Sequence, residues 1–272
     1  MGILNVTPDS FSDGGSHYRP EDHPAAAIAH ARRMLEEGAD LVDVGGESTR
    51  PGAEPVPEDE ELRRVLPVVE ALAADDVTVS IDTSKANVAR RAVEAGAAIV
   101  NDVSAGTNDG LLLRTVAELG VPYVVMHMRG TPRTMQRDPR YTDVVAEVYD
   151  FLSDQIRRLE LLGIRRDLLV VDPGIGFGKT VAHNLELLRR VREFTSLGRP
   201  VLIGTSRKSF LGTISGVEEA SERLEGSIVT AAIAVARGAS IVRVHDVAET
   251  VRAVRVAAAL SGDPRPGQEP GA

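Results

Sequence analysis

The chain has 272 residues, close to the ~250 of one (β/α)8 barrel, with 43% hydrophobic and 26% charged residues, ordinary for a globular protein. Thirty-one basic residues against 40 acidic give a net charge of −9, which argues against nucleic-acid and anionic-membrane partners. The absence of cysteine excludes disulfides, thiolate metal sites and Cys nucleophiles, and no apolar run approaches the ~20 residues of a membrane span. No signal peptide precedes the first motif, so the cytoplasm is the expected compartment. Aromatics make up only 3%, so the core is expected to consist of Val, Leu, Ile and Ala.

One unit recurs along the chain: an amphipathic stretch, a glycine, then a short apolar run ending in a polar residue. Met1 to Leu4 opens as a strand. Helical His30 to Glu37 stops at Gly38 before Leu41 to Val44, and acids from Glu58 to Glu61 mark a helix N-terminus ahead of Val77 to Ile81. Helical Val88 to Ala95 stops at Gly96 before Ile99 and Val100, and Leu111 to Leu119 stops at Gly120 before Tyr123 to Met126. Val144 to Leu162 stops at Gly163 before Leu168 to Val171, and Val201 to Gly204 is the seventh strand. Ile228 to Arg237 stops at Gly238 before Ile241 to Val244, and Asp246 with Glu249 predicts a capping box on the last helix. Eight strands alternating with helices predict an α/β fold, a (β/α)8 TIM barrel in a single domain over residues 1–260. The Pro- and Gly-rich tail 261–272 is expected to be disordered. Strand one begins at Met1, so its lower end is expected to be short, or the natural start to lie upstream.

The C-terminal ends of barrel strands open on one face, where barrel active sites sit. Here they carry Asn5, Asp43, Asp82, Asn101 with Asp102, His127, Asp172, Arg207 with Lys208, and Arg243 with His245. A polar residue at one strand end has a dull explanation, such as capping the next helix, but all eight ends being polar points to a site. Loops seven and eight form the usual phosphate pocket, and Ser206 to Ser209 with Arg243 and His245 suit an anion held by an acidic protein. The run DPGIGFGKT, Asp172 to Thr180, lacks the spacing of a nucleotide loop. Its glycines are read as letting backbone approach a flat ligand, with Phe177 offering an apolar face. Asp82 and Asp172, which as carboxylates only accept hydrogen bonds, together with Asn101 suit the edge of a heterocycle such as a pterin; buried ion pairs are the plainer alternative. His127 is read as a hydrogen-bonded core residue. No zinc ligand set is present, and a metal, if bound, should be Mg2+ bridging phosphate and a hard oxygen such as that of Asn5.

The opening GILNVTPDSFSDGG resembles the signature of the dihydropteroate synthase family of pterin-binding barrels. DVGGESTRPGA, SIDT, NDVSAG, VMHM, DPGIGFGKT, GTSRKSFLG and VRVHDV follow in the family's order, so the resemblance runs from residue 2 to 247. It implies condensation of 6-hydroxymethyl-7,8-dihydropterin pyrophosphate with p-aminobenzoate. Carried over by position, Asp82, Asn101, Met126, Asp172 and Lys208 would hold the pterin. Asn5, Arg243 and His245 would form the pyrophosphate and Mg2+ site. Thr49, Arg50, Pro51, Phe177 and Ser209 would line the p-aminobenzoate pocket, and Asp9, Ser10 and Phe11 would belong to a segment closing over substrates. The family also implies a homodimer through the last helices. The rival expectations are a methyltetrahydrofolate-binding methyltransferase-type barrel, a silent pterin-binding paralogue, and a phosphate-binding barrel isomerase.

Overall fold

The computed structural model of the chain describes residues 1–7, 23–48 and 52–262. Eight short strands follow one another around a ring: β1 (Gly2–Asn5), β2 (Val42–Gly45), β3 (Val79–Asp82), β4 (Ile99–Asp102), β5 (Tyr123–Met126), β6 (Leu169–Asp172), β7 (Leu202–Ile203) and β8 (Ile241–Val242). The first six form one parallel sheet in sequence order, and β7 pairs in parallel with β8. Two seams join these sheets. Val171 N–H donates to Pro200 O at 3.0 Å, and Val171 is bridged to Val201. Ile3 N–H donates to Val244 O at 2.9 Å, and Val244 N–H to Met1 O at 3.0 Å. Those bonds bring the last strand back onto the first and close the expected barrel. Pro200, which has no N–H to give, borders the two-residue β7, shorter than the four residues read from the sequence.

Helices α1 (His23–Glu36), α2 (Glu58–Ala74), α3 (Ala86–Glu94), α4 (Leu112–Leu119) and α5 (Val144–Leu161) connect β1 through β6. Helices α6 (Val181–Arg189), α7 (Val191–Thr195), α8 (Ser209–Ser215), α9 (Leu224–Ala236) and α10 (Val247–Leu260) complete the outer layer. The stops fall where the sequence put glycine: Gly38 and Gly96 take φ of 101° and 111°, a conformation that side chains with a Cβ resist. The start of α5 is fixed by Asp143, whose Oδ1 accepts from Val145 N–H at 2.9 Å and Ala146 N–H at 3.1 Å.

The core has two parts. Buried Val, Leu and Ile of the helices pack on the outward faces of the strands, Val42, Val44, Val79, Ile81, Val100 and Val171 among them. Within the ring, Met1, Val124 and Leu202 pack with Leu41, Ile99, Val170 and Ile241 and fill the lower end. Alternation along each strand sends residues two positions later inward as well, and these are Ile3, Asp43, Ser80, Asn101, Met126, Asp172 and Arg243. The barrel interior therefore changes from apolar to polar on going up the strands. The greasy layer below excludes water from one side of the polar layer, which raises the stakes of every charge in it.

Candidate active site at the barrel mouth

Arg243 is the centre of one half of the polar layer. Its Nε donates to Asp43 Oδ2 at 2.5 Å and its Nη2 to Asp82 Oδ2 at 2.7 Å, so one guanidinium ties β8 to β2 and β3 across the ring. Asp43 Oδ2 also accepts from Asn101 Nδ2 at 2.9 Å. Asp43 is fully buried, and Asp82 and Asn101 are nearly so. Burial raises the Asp82 carboxyl to about 7; Arg243 opposes the rise and the neighbouring Asp43 adds to it. Burial disfavours the Arg243 charge, but Asp43 and Asp82 outweigh it and hold the guanidinium above its ordinary value. Arg243 is a firm cation held by two carboxylates with little water to share.

Asp172 and Lys208 form the other half. Asp172 sits at the end of β6, in register with Met126 of β5, and its Oδ1 accepts from Gly174 N–H at 2.7 Å. Burial raises its carboxyl, with Lys208 and the Gly174 N–H opposing. Lys208, just before α8, donates through Nζ to Ile175 O, and that ammonium lies 4.6 Å from the centroid of the Phe177 ring. Burial lowers Lys208 to about 8, the Asp172 charge resisting and Arg243 contributing.

The loop after β6 folds for reasons different from those read in the sequence. A Cβ on Gly174 would stand 1.9 Å from His127 O, and one on Gly178 2.3 Å from Arg129 O, with φ at 69° and 65°. These glycines admit the chain's own backbone, from the segment after β5. Beneath the loop Lys179, 2% exposed, directs Nζ to His127 Nδ1 at 2.9 Å, Phe177 O at 3.0 Å and His127 O at 3.3 Å. Burial and the nearby Lys179 and Arg129 charges push His127 down to about 2, so it is neutral, and its ring meets Phe151 edge-on at 4.9 Å. The reading of His127 as a core histidine agrees with this position.

The anion end is smaller than the sequence suggested. Ser206 Oγ lies 3.0 Å from His245 Nδ1 and accepts from His245 N–H at 3.1 Å, bringing the two loops together. Arg207 turns elsewhere: both arms of its guanidinium engage the Asp246 carboxylate, its Nε at 3.0 Å. That pair also overturns the expected capping box, since Asp246 precedes α10 but its side chain caps nothing. Similarly, Glu61 belongs to the acidic first turn of α2 as expected, yet it is 1% exposed and bound to Lys85 together with Glu47.

The structure gathers Asp82, Asn101, Met126, Asp172, Lys208, Phe177 and Arg243 around the mouth, with Asn5 at its β1 edge and Ser206 and His245 at the β7–β8 edge. Ser209 is exposed and lines a polar depression of about 250 Å3 with Gly176 of the Phe177 loop, Thr180 and Asn184. Asp9, Ser10, Phe11, Thr49, Arg50 and Pro51 lie outside the described residues. Two residues carry more than their sequence reading: Asp43 counted only as one polar strand end, and Lys179 had no role. An aspartate in mid-strand register with apolar neighbours on both sides was the available signal for Asp43.

The chain matches the family of pterin binding enzymes over residues 1–245. Its relatives include the dihydropteroate synthase of Escherichia coli K12, 52% identical over 94% of this chain and 89% of that one. The chain belongs to the dihydropteroate synthases of the pterin-binding family. Its fold is similar to that of Xanthomonas albilineans dihydropteroate synthase with 4-aminobenzoic acid, at a TM-score of 0.88 and 50% identity over 97% of this chain and 93% of that one. The same enzyme in complex with 7,8-dihydropteroate gives a TM-score of 0.86 at 47% identity, again over 97% and 93%. As a member of this family the chain is a transferase of folate biosynthesis, and the alternatives of another pterin-binding barrel chemistry or a phosphate isomerase fall away.

Proposed function

We propose that the chain joins 6-hydroxymethyl-7,8-dihydropterin pyrophosphate to p-aminobenzoate, giving 7,8-dihydropteroate and pyrophosphate, with the residue roles as follows. The observation that carries the reading is the polar layer itself. Acceptors Asp82, Asn101 and Asp172 suit the amino and ring N–H donors of a pterin, and two cations, Lys208 and Arg243, flank them within one water-poor mouth. The relatives' bound molecules, 4-aminobenzoic acid in one case and 7,8-dihydropteroate in the other, belong to the same chemistry.

The bond that breaks joins the pterin methylene carbon to the pyrophosphate oxygen, which leaves with the electron pair. The bond that forms joins that carbon to the arylamine nitrogen, which then releases its proton. Arg243, His245 and Ser206 at the β7–β8 edge favour the charge growing on the leaving group, the electrostatic contribution that usually dominates such sites. Asp82 and Asp172 favour positive charge dispersed over the dihydropterin as the first bond lengthens. Met126 packs beside the ring. Phe177, with the Lys208 ammonium against its face, offers the arylamine a flat apolar wall, and Ser209 borders the same side. The amine attacks neutral, so no strong general base is assigned and none of these residues is a covalent nucleophile.

A resident Mg2+ fits this donor set in one form only. Among the described residues no group of three or more His, Asp or Glu is placed to cage a metal. Asn5 supplies one hard oxygen at the mouth, and Mg2+ is ordinarily completed by substrate phosphates and water. When bound, it would neutralise charge on the departing pyrophosphate.

Two further assignments complete the proposal. Val229 and Ile233 of α9 with Val256 and Leu260 of α10 leave large apolar side chains exposed on two neighbouring helices, which supports a homodimer through these helices. No helix among the described residues is long and apolar enough to cross a membrane, and with the cysteine-free acidic composition this supports a cytoplasmic enzyme. The test of the function is direct. Purified protein given both substrates and Mg2+ should form dihydropteroate, separable from the substrates by chromatography. Pterin binding with no product would make the chain a silent paralogue and overturn the reading.

A further inference from the structure

We propose that Asp43 is a positioning residue that sets the hydrogen-bonding face of Asn101 and the aim of Arg243 toward the pterin pyrophosphate. The inference rests on the function proposed above. Asp43 is fully buried under the mouth, in register with Ile3 on one side and Ser80 on the other, so it acts through its neighbours and not on the ligand.

The argument is one of donors and acceptors. A carboxylate only accepts, so the Asn101 amide must turn its Nδ2 toward Asp43 Oδ2, where it lies at 2.9 Å. That choice removes an ambiguity that an asparagine otherwise keeps, because its two ends are nearly isosteric. The carbonyl Oδ1 is left for the open side, where it presents an acceptor to the amino or ring N–H groups of a heterocycle. The same Asp43 oxygen accepts from Arg243 Nε at 2.5 Å while Asp82 takes one Nη2 hydrogen. Two of the five guanidinium hydrogens are thus committed to carboxylates, and the other three have no acceptor among the described residues. One buried oxygen therefore orients a pterin-edge group and a pyrophosphate group together.

Structure maintenance alone is a poor reason for this arrangement. Among the described residues Asp43 Oδ1 has no hydrogen-bond partner, and neither does Ser80 Oγ on the neighbouring strand. An apolar residue at this depth would avoid stranding that oxygen, and buried ion pairs are often replaceable by well-packed hydrophobic side chains without loss. What an apolar residue cannot do is choose the amide face of Asn101.

The experiment is steady-state kinetics on Asp43→Leu, which removes the acceptor and leaves an apolar side chain of similar size, with each substrate varied in turn. The KM for the pterin pyrophosphate should rise about tenfold or more, while the KM for p-aminobenzoate stays near that of the unmodified protein. Asp43→Asn is the conservative control: its one carbonyl oxygen can accept from both Asn101 Nδ2 and Arg243 Nε, as Asp43 Oδ2 does, so it should keep most of the affinity that Asp43→Leu loses. Asp43→Ser tests the same point if the leucine variant does not fold. An unchanged pterin KM, equal changes in both KM values, or a loss confined to melting temperature would overturn the proposal. Titration of each variant with 6-hydroxymethylpterin alone separates this failure from failure of the proposed function. It reads the Asn101 contact even in a protein that makes no product.

Discussion

The Lys208 ammonium lies 4.6 Å from the centre of the Phe177 ring while donating to Ile175 O, so a single lysine from the β7–α8 connection braces the loop that follows β6. Its charge faces the same mouth as Asp172. Lys208→Ala should therefore weaken pterin binding by about 1.5 to 3 kcal/mol, the range for a hydrogen bond to a charged group. Isothermal titration with the pterin checks this, and an unchanged affinity would remove Lys208 from the pterin site.

The two shifted groups predict a bell-shaped pH dependence. If ionised Asp82 and protonated Lys208 both hold the pterin, affinity should climb as pH rises through about 7 and fall as it rises through about 8. Stability of the free protein should move the other way. Asp82 titrates higher folded than its ordinary 3.8, so the folded state holds the extra proton between there and about 7, and stability declines as pH climbs through that window. Lys208 titrates lower folded than its ordinary 10.5, so its contribution recovers between about 8 and 10.5. Pterin titrations across pH 6 to 9 decide the first part, and a flat profile would contradict it.

Arg243→Gln should separate the two ends of the substrate. It removes the cation aimed at the leaving group, so affinity for the pyrophosphate ester should fall by more than affinity for the bare pterin alcohol. Equal losses for both ligands would assign Arg243 to the pterin ring alone.

Two substitutions test the scaffold. Gly174→Ala would place a methyl group against the His127 carbonyl in a left-handed backbone, and should cost at least about 2 kcal/mol of stability along with activity. Tyr123→Phe removes a 2.7 Å bond from a fully buried hydroxyl to Asp102 Oδ2. Asp102 keeps the Ser104 and Gly106 N–H groups, so the cost should be about 1.5 to 3 kcal/mol with both KM values unchanged. Thermal melts with parallel kinetics check both.

The elements were legible because barrel strands end where polarity begins and helices stop at glycines whose φ is positive, as at Gly38 and Gly96. Asp82, Asn101, Asp172 and Arg243 were legible as a set for the same reason: alternation and strand position put them on one interior face. What the sequence hid were choices among partners. Asp246 has the spacing of a helix cap, but Arg207, 39 positions earlier, offers a two-armed charge-assisted contact and takes its carboxylate. Gly174 looked like an approach for a ligand, whereas the close neighbour is the carbonyl of His127, 47 positions earlier, where no local pattern could place it. Lys179 had no role in the sequence reading of its glycine-rich run. Only the barrel brings His127 and Phe177 around it as acceptors. In each case a long-range contact made in three dimensions outweighed a plausible local one.

The central claim is tested most directly by pyrophosphate release from purified protein supplied with dihydropterin pyrophosphate, p-aminobenzoate and Mg2+, each omitted in turn. Release should equal dihydropteroate formed, mole for mole, and should fail without the arylamine or without Mg2+. Release that proceeds at the same rate without the arylamine would mean that water is the acceptor, and would contradict the account.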